Sequence, residues 1–207
     1  MKSIAGFFVF LFLSLSQGSV QAQHLAPDAL VKKTTDEIVA QIRHDKSLVA
    51  NSNKLLKLVD TIVLPHFNFT RMTMLAVGRP WRDATPAQRE ELVHQFRNLL
   101  VRTYSTALEQ YRDQTIDVKP TKLNDGDSRA TVRTQIQQSG GPPMPMDYRM
   151  EKSPDGWKVY DVSVEGVSLV INYRNTFIAE VKRHGLMHLV ERLRAHNRKQ
   201  GSDKQSG

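Results

Sequence analysis

The feature that most constrains the fold is a change in hydrophobic periodicity after Tyr111. Before this residue apolar side chains recur at helical spacing, whereas after it they alternate with polar ones, as in strands with one buried face. Four alternating segments follow, at 116–118, 130–136, 144–150 and 157–164. The segments between them are rich in Asn, Asp, Gly, Ser and Pro, which favour turns. The sequence therefore predicts a meander of about four antiparallel strands.

Helices are predicted on both sides of the strands. The clearest covers 86–111, because Thr85 and Gln88 form a capping box and Pro86 occupies the first helical position. Its apolar face is wider than one packing seam requires. Helices before strands and helices after them are typical of a single α+β domain, in which the helices cover one face of a curved antiparallel sheet. The other predicted helices lie at 28–43, 54–63 and 69–77, with two more in 169–193.

Residues 1–22 predict a cleavable signal peptide. Lys2 gives a positive start, residues 4–15 are almost wholly apolar, and Val20-Gln21-Ala22 fits the small-x-small cleavage pattern. The apolar run is too short to span a bilayer stably, so a retained membrane anchor is the less favoured alternative. We therefore expect export to the periplasm, a domain over 23–199 and a disordered polar tail over 200–207.

Composition narrows the classes of partner. The absence of cysteine excludes a disulfide framework and a lipid-modified cysteine. The chain has 29 basic and 21 acidic residues, a net charge of +8, to which the signal peptide contributes one positive charge. A basic surface often indicates nucleic acid, but an exported protein seldom meets it, so we expect no nucleic-acid partner. Anionic lipid headgroups and membrane surfaces are the more available partners.

Serine and acidic residues give no catalytic motif. Gly166-Val167-Ser168 stops short of a nucleophile elbow, and Ser168 is interpreted as a helix cap. The acidic pairs Glu90-Glu91 and Asp161 with Glu165 have no identifiable partner for acid–base chemistry. We therefore expect that the protein is not an enzyme.

Histidine and aspartate patterns do not predict a metal site either. His184 and His188 are one helical turn apart, but Gly185 interrupts the helix between them and no glutamate follows His184 as in a zinc motif. The segment 125–127 is interpreted as a hairpin turn and not as a calcium loop. We expect no metal and no cofactor.

Three segments resemble one protein family. They are WKVYDVSVEGVSLVINYRNTF from Trp157, LVDTIVLPHFNFTRMTMLAVGRPWRDATPAQREELVHQFRNLLVRTY from Leu58, and MDYRM from Met146. In order and spacing they resemble the MlaC family, the periplasmic phospholipid-binding component of the Mla (maintenance of lipid asymmetry) pathway, also called the toluene-tolerance auxiliary protein family. The resemblance extends over essentially the whole chain after the signal peptide. The basic stretch ending in Arg198 and Lys199 departs from it, which leaves the role of the tail open.

The resemblance implies a soluble periplasmic phospholipid carrier that maintains outer-membrane lipid asymmetry. Such a protein holds acyl chains in an apolar cavity enclosed by the sheet and the helices, and bound phospholipid is its cargo. The implied partners are an outer-membrane lipoprotein-porin complex and the inner-membrane Mla ABC transporter, reached through its membrane-anchored substrate-binding subunit. We expect a monomer. Direction of transport, the number of acyl chains, headgroup preference and the docking faces stay open.

Candidate cavity residues are those on the inward faces of the predicted elements, although the same periodicity is typical of ordinary core. They are Met72, Leu75, Phe96, Leu100, Tyr104, Leu108, Tyr148, Val162, Val164, Val170, Tyr173 and Phe177. Met74 and Met144 suit a wall that adapts to chains of varying length. Arg149, Lys158 and Arg174 are candidates for contact with a lipid phosphate, or else solvated surface residues.

Two other function classes are compatible with the same pattern. A periplasmic adaptor or chaperone would bind protein at an exposed apolar patch, have a filled core and carry no lipid. A small hydrolase or isomerase of apolar ligands would need a polar catalytic cluster inside the pocket, of which the sequence gives no sign.

Overall fold

A computed structural model describes residues 24–109, 114–137 and 140–203, with the side chains of 105–109 and 200–203 left out. The expected signal peptide and the end of the predicted tail lie outside these residues. The helices are α1 (Pro27–His44), α2 (Ser47–Ala50), α3 (Ser52–Ile62), α4 (Phe69–Val77), α5 (Pro86–Glu109), α6 (Leu169–His184) and α7 (Leu186–Asp203). The strands are β1 (Thr115–Val118), β2 (Arg129–Gln137), β3 (Met144–Ser153), β4 (Gly156–Val164) and β5 (Val167–Ser168).

Side-chain caps fix where several helices begin. Thr85 and Gln88 make the predicted capping box at α5: the Thr85 N–H donates to Gln88 Oε1 (2.9 Å) and the Gln88 N–H donates to Thr85 Oγ1 (3.3 Å). Asn51 and Asn68 accept from the backbone of the third residue after them at the start of α3 and α4. These bonds satisfy N–H groups that have no partner within the helix.

The sheet is an antiparallel meander in the order β1-β2-β3-β4-β5. It has five strands where the sequence predicts about four. The additional strand β5 has only two residues, too short to show alternation, and it follows a two-residue turn at Glu165 and Gly166. Both turn residues have positive φ (50° and 80°), which matches the twist of a tight hairpin. The α+β class is therefore confirmed, with one more edge strand than expected.

A register shift between Arg149 and Met150 bends the centre of the sheet. Tyr148 pairs with Val162, but Met150 pairs with Val159, so strand β4 carries an additional residue opposite β3. A bulge of this kind increases the local twist. It also turns Tyr160 towards the helices, where it joins their apolar core.

Two groups of helices pack on different parts of the sheet. Helix α1 packs on β1 and β2, while α4 and α6 pack on β4, and α5 and α7 pack against their neighbours in the helical layer. The apolar core is accordingly divided into three clusters: one within α4–α7, one between α1 and the sheet, and one between α1 and α3.

Element boundaries differ from the sequence expectation in a few places. The short helix α2 and the 3-10 turns Leu64–His66 and Arg79–Arg82 were not predicted, since each is too short to show helical periodicity. Helix α7 continues through 200–203, into the segment predicted as a disordered tail. Within the described part of the chain, no helix is long and apolar enough to cross a membrane.

Leu55 offers a test of the packing between α1 and α3. Its side chain is 0% exposed, whereas Leu123 is 39% exposed in a loop. We expect Leu55→Ala to lower the free energy of unfolding by about 2–5 kcal/mol, because it removes buried methyl groups and leaves a cavity. Leu123→Ala is the matched control and should change it by about 0.5 kcal/mol or less. Urea denaturation measures both, and equal effects would contradict the packing described.

Candidate functional site: an apolar sheet face opposite the helices

One face of the sheet is mostly apolar, with Thr134 as a buried polar residue within it. Residues that pair directly across neighbouring strands lie on the same face. Val132 pairs with Tyr148 and Tyr148 with Val162, while Met146 pairs with Val164 in the next layer. The half-buried members of this face are Ile116, Val118, Ile136, Met144, Met146, Tyr148 and Val164. We call these seven residues the apolar sheet face.

Tyr148 shows how deep this surface lies. Burial raises the pKa of its hydroxyl to about 12, and the hydroxyl contacts Met146 Sδ at 3.0 Å. Its side chain nevertheless keeps some accessible surface. A residue that is surrounded by protein and still accessible is typical of a cavity wall, and not of a filled core.

Aromatic rings from α5 and α6 form the centre of the helical layer. The ring centroids of Phe96, Tyr173 and Phe177 lie 5.2–5.5 Å apart, and the Phe96 ring meets both others nearly edge-on. Phe96 and Phe177 are buried, whereas Tyr173 is half-buried. These contacts stabilise the packing of α6 on α5 and leave part of Tyr173 open.

The structure places the candidate cavity residues in two neighbouring groups. Tyr148 and Val162 belong to the sheet cluster, and Val164 continues the same face. Tyr104 is 36% exposed, and the side chain of Leu108 lies outside the described residues. The remaining candidates belong to the helical cluster: Met72, Leu75, Phe96, Leu100, Val170, Tyr173 and Phe177. Their role in contacting a ligand stays a prediction.

The exposed fraction of each side chain distinguishes core residues from possible cavity-wall residues better than periodicity does. Met72 and Phe96 are 1% and 0% exposed, so their surroundings in this structure are protein. Leu75 and Tyr173 are half-buried, as is Met74. The sequence predicts all of them as candidate cavity-wall residues, because the spacing of apolar residues indicates a buried face and not what covers it.

Asp161 connects β4 to the start of α6. Its carboxylate, 2% exposed, accepts from Ser168 Oγ (2.6 Å) and from the Val170 N–H (3.2 Å). Ser168 Oγ in turn accepts from the Ile171 N–H (3.0 Å) and so caps α6, as predicted. Arg149 Nη1 lies 3.8 Å from the carboxylate. We call this group the Asp161 clasp; the sequence identified its serine but not that the aspartate is its partner.

The three candidate phosphate contacts do not share one place. Arg149 alternates with Tyr148 along β3, so it lies on the opposite face of the sheet, with its guanidinium 5.7 Å from the centre of the Tyr160 ring. Lys158 donates to the Pro65 carbonyl at 2.7 Å. Arg174 is exposed on α6 and lies beside Gly78. The structure therefore gives no joint headgroup site built from these three residues.

The histidine pair and the acidic turn have local structural roles. The rings of His184 and His188 lie 4.7 Å apart, and His188 Nε2 lies 3.1 Å from Glu180 Oε1. Asp127 accepts from the Asn124 N–H within the turn before β2. Among the residues that the structure describes, no cluster of three or more His, Cys, Asp or Glu side chains could hold a metal ion.

A family model described as MlaC protein matches residues 32–195. Over 161 residues the chain is 28% identical to "Toluene tolerance protein ttg2D" of Pseudomonas putida, with 77% of this chain and 74% of that protein covered. Over 172 residues it is 23% identical to "Intermembrane phospholipid transport system binding protein MlaC" of Haemophilus influenzae, with 81% of this chain and 80% of that protein covered.

A solved structure agrees with this fold over most of its length. It is a phospholipid-binding protein from Ralstonia solanacearum in complex with a phospholipid, 38% identical in sequence with a TM-score of 0.79. The alignment covers 86% of this chain and 99% of that one. The two proteins therefore share the whole architecture, and not only a local motif.

The Asp161 clasp can be tested by removing its carboxylate. We expect Asp161→Ala to lower the free energy of unfolding by about 2–4 kcal/mol, because it leaves the Ser168 hydroxyl and the Val170 N–H without their acceptor in a buried site. Asp147→Ala, on the adjacent strand, is the matched control with an expected change of about 0.5 kcal/mol. Thermal or urea unfolding measures both, and a clasp variant as stable as the control would contradict the described role.

Tyr148 should ionise at a higher pH than an ordinary tyrosine. Its folded pKa is raised to about 12, while the unfolded phenol ionises near pH 10, so its contribution favours folding fully below pH 10 and is lost between about pH 10 and 12. Phenolate absorbance during an alkaline titration should lose a component near pH 12 in Tyr148→Phe. Superimposable titration curves for the two proteins would show that Tyr148 is not buried as described.

Proposed function

The chain belongs to the MlaC family, and we propose that it is a periplasmic phospholipid-binding transport protein that carries lipid between membranes without covalent chemistry. The observation that supports this most is the apolar sheet face, whose seven residues are half-buried and include Tyr148, where burial raises the pKa to about 12. The relative with the same architecture was solved in complex with a phospholipid.

The physical demand on such a carrier is large. Burying a methylene is worth about 0.8 kcal/mol, so two acyl chains of roughly 28 methylenes require on the order of 20 kcal/mol of apolar shielding in transit. A shallow surface groove cannot supply this, whereas a deep apolar cavity can. The apolar sheet face, which belongs to or extends the sheet cluster, and the half-buried side chains of Leu75 and Tyr173 in the helical cluster offer accessible apolar surface for a cavity of this kind.

The bonding of the polar groups and the composition of the apolar sheet face both favour binding over catalysis. Asp161 and Ser168, which a hydrolase could have used, bond to each other and to the backbone of α6. Methionines Met144 and Met146 contribute unbranched, polarisable side chains to the sheet wall, which adapt to chains of different length. We infer that the protein holds its lipid by shape and apolar contact, and releases it unchanged.

We further propose the route that the family implies. The protein exchanges phospholipid with an outer-membrane lipoprotein-porin complex and with the inner-membrane Mla ABC transporter, by docking on the membrane-anchored substrate-binding subunit. In doing so it maintains the lipid asymmetry of the outer membrane. A carrier of this kind has no direction of its own, because direction is set by the energy-coupled transporter and by the relative affinities along the route.

Transfer of a fluorescent phospholipid between two populations of vesicles tests the carrier function. We expect the mature protein to accelerate transfer, and Val164→Asp to abolish the acceleration because it places a charge in the apolar wall. Ser163→Asp is the matched control: it adds the same charge at the neighbouring residue, on the opposite face of β4, and should retain most of the activity. Lack of acceleration by the unmodified protein, or equal losses in the two variants, would count against the proposal.

A further inference from the structure

Exposed apolar side chains lie in a row along β5 and α6. Val167, Ile171 and Ile178 are 59%, 53% and 36% exposed. Spacings of three and four residues place Ile171, Arg174 and Ile178 along one side of α6, and Lys182 continues this side one turn later. Single exposed apolar residues are common at protein surfaces, but a row of them is typical of a contact surface. We call these five residues the exposed stripe.

The turn at Gly78, after α4, lies beside this stripe. A carbon atom placed on Gly78 in the Cβ position would lie 3.4 Å from Ile178 Cδ1 and 3.9 Å from Arg174 Nε. The two side chains of α6 therefore rest against this turn. Arg79, the next residue of the turn, is exposed. A second element thus contributes an exposed cation next to the stripe.

The charge on and beside the stripe is mainly positive. Arg79, Arg174 and Lys182 are exposed, and their side chains have no hydrogen-bond or ion-pair partner among the residues that the structure describes. The one acidic residue of α6, Glu180, is bound by side chains of α7. Glu165 is exposed in the turn before β5. Three cations against one exposed carboxylate favour an anionic partner.

The stripe also continues the apolar sheet face. Val167 pairs with Val164 and Val164 with Met146, so the three side chains lie on one face of the sheet. Exposure increases along this row, from the half-buried Met146 and Val164 to Val167 at 59%. Apolar surface therefore extends without interruption from the sheet face to the outside of the protein, where it meets the stripe.

We propose that the exposed stripe is the surface by which this protein contacts a bilayer that contains anionic phospholipid. The aliphatic side chains insert among the headgroups, and the cations of the stripe bind the phosphate groups. The proposal rests on the proposed function, because a carrier takes up and releases its lipid at a membrane. An acyl chain that moves between the bilayer and the apolar sheet face along this surface avoids exposure to water.

The composition of the stripe favours a bilayer over a protein partner. Aliphatic side chains mixed with cations suit the headgroup layer of a membrane. Stable protein interfaces are usually anchored by aromatic side chains in packed pockets, and the stripe contains no aromatic residue.

Flotation of the full mature protein with vesicles of phosphatidylcholine, with and without phosphatidylglycerol, tests the proposal. The variant Val167→Thr/Ile171→Gln removes apolar surface but keeps a β-branched residue in β5 and a good helix former in α6. We expect it to bind both kinds of vesicle on the order of 10-fold more weakly than the unmodified protein. The matched control Leu123→Gln/Met187→Gln removes side chains that are 39% and 48% exposed elsewhere, and should weaken binding by about twofold or less.

A second pair of variants tests the cations separately. Arg174→Gln/Lys182→Gln should bind phosphatidylglycerol vesicles on the order of 10-fold more weakly, because it removes two cations from the contact with an anionic surface. Its binding to pure phosphatidylcholine should change by about twofold or less, since that surface has no net charge. The matched control Arg43→Gln/Lys57→Gln removes two exposed cations from α1 and α3, and should weaken binding to phosphatidylglycerol vesicles by about threefold or less.

Three outcomes would overturn the proposal. Absence of binding by the unmodified protein would show that no face of it holds a bilayer. Equal losses in a stripe variant and its control would show attraction by overall charge or hydrophobicity alone. A dimer in sedimentation velocity that Val167→Thr/Ile171→Gln abolishes, without vesicle binding, would assign the stripe to contact with a second copy of this chain. If a double variant fails to fold by circular dichroism, Ile171→Gln or Arg174→Gln alone, at an exposed position, replaces it.

Phospholipid extracted from each purified protein distinguishes this proposal from the proposed function. A stripe variant that binds vesicles weakly but still contains phospholipid supports the stripe as a membrane contact distinct from the apolar sheet face. A stripe variant that has lost its phospholipid would place these residues in the lipid-holding wall and overturn the proposal. An unmodified protein that floats with vesicles but contains no phospholipid would contradict the carrier function, while its flotation would still support the exposed stripe.

Discussion

The contact between Asp161 and the start of α6 joins the two layers of this protein. A second polar connection lies at the start of α4, where the Asn68 N–H donates to the Val159 carbonyl (2.8 Å) and Asn68 Nδ2 donates to Glu151 Oε1 (2.9 Å). The Asp161 carboxylate accepts from Ser168 and from the backbone of Val170, so the two-residue strand β5 and the first turn of α6 are held together at one edge of the sheet. The position of α6 relative to β4 is therefore set by hydrogen bonds as well as by apolar packing.

The division of the core follows from this arrangement. The helical cluster and the sheet cluster are separate, and Phe67 packs against both. At the sheet cluster, the apolar sheet face keeps accessible surface, although burial raises the pKa of Tyr148 to about 12. An apolar face that stays accessible to water is unfavourable in a protein without a ligand. Bound acyl chains would restore the missing contacts, which supports the carrier function.

The sequence predicts the α+β class, the meander and most helices, because periodicity and turn residues are local signals. The capping box at Thr85 and the cap at Ser168 could be predicted for the same reason. The strand β5 was missed since two residues carry no period. The hydrogen bond from Ser168 to Asp161 could not be predicted, because the two residues lie on different elements. The surroundings of Met72 could not be predicted either, because packing against protein or lipid depends on the tertiary arrangement.

Native mass spectrometry, with lipid extraction, of the mature protein purified from the periplasm without detergent tests the central claim most directly. We expect a stoichiometric mass increment that the extract identifies as phospholipid, and the size of that increment gives the number of acyl chains held. Protein of bare mass that also takes up no lipid from vesicles would contradict the carrier function and favour a periplasmic adaptor that binds other proteins.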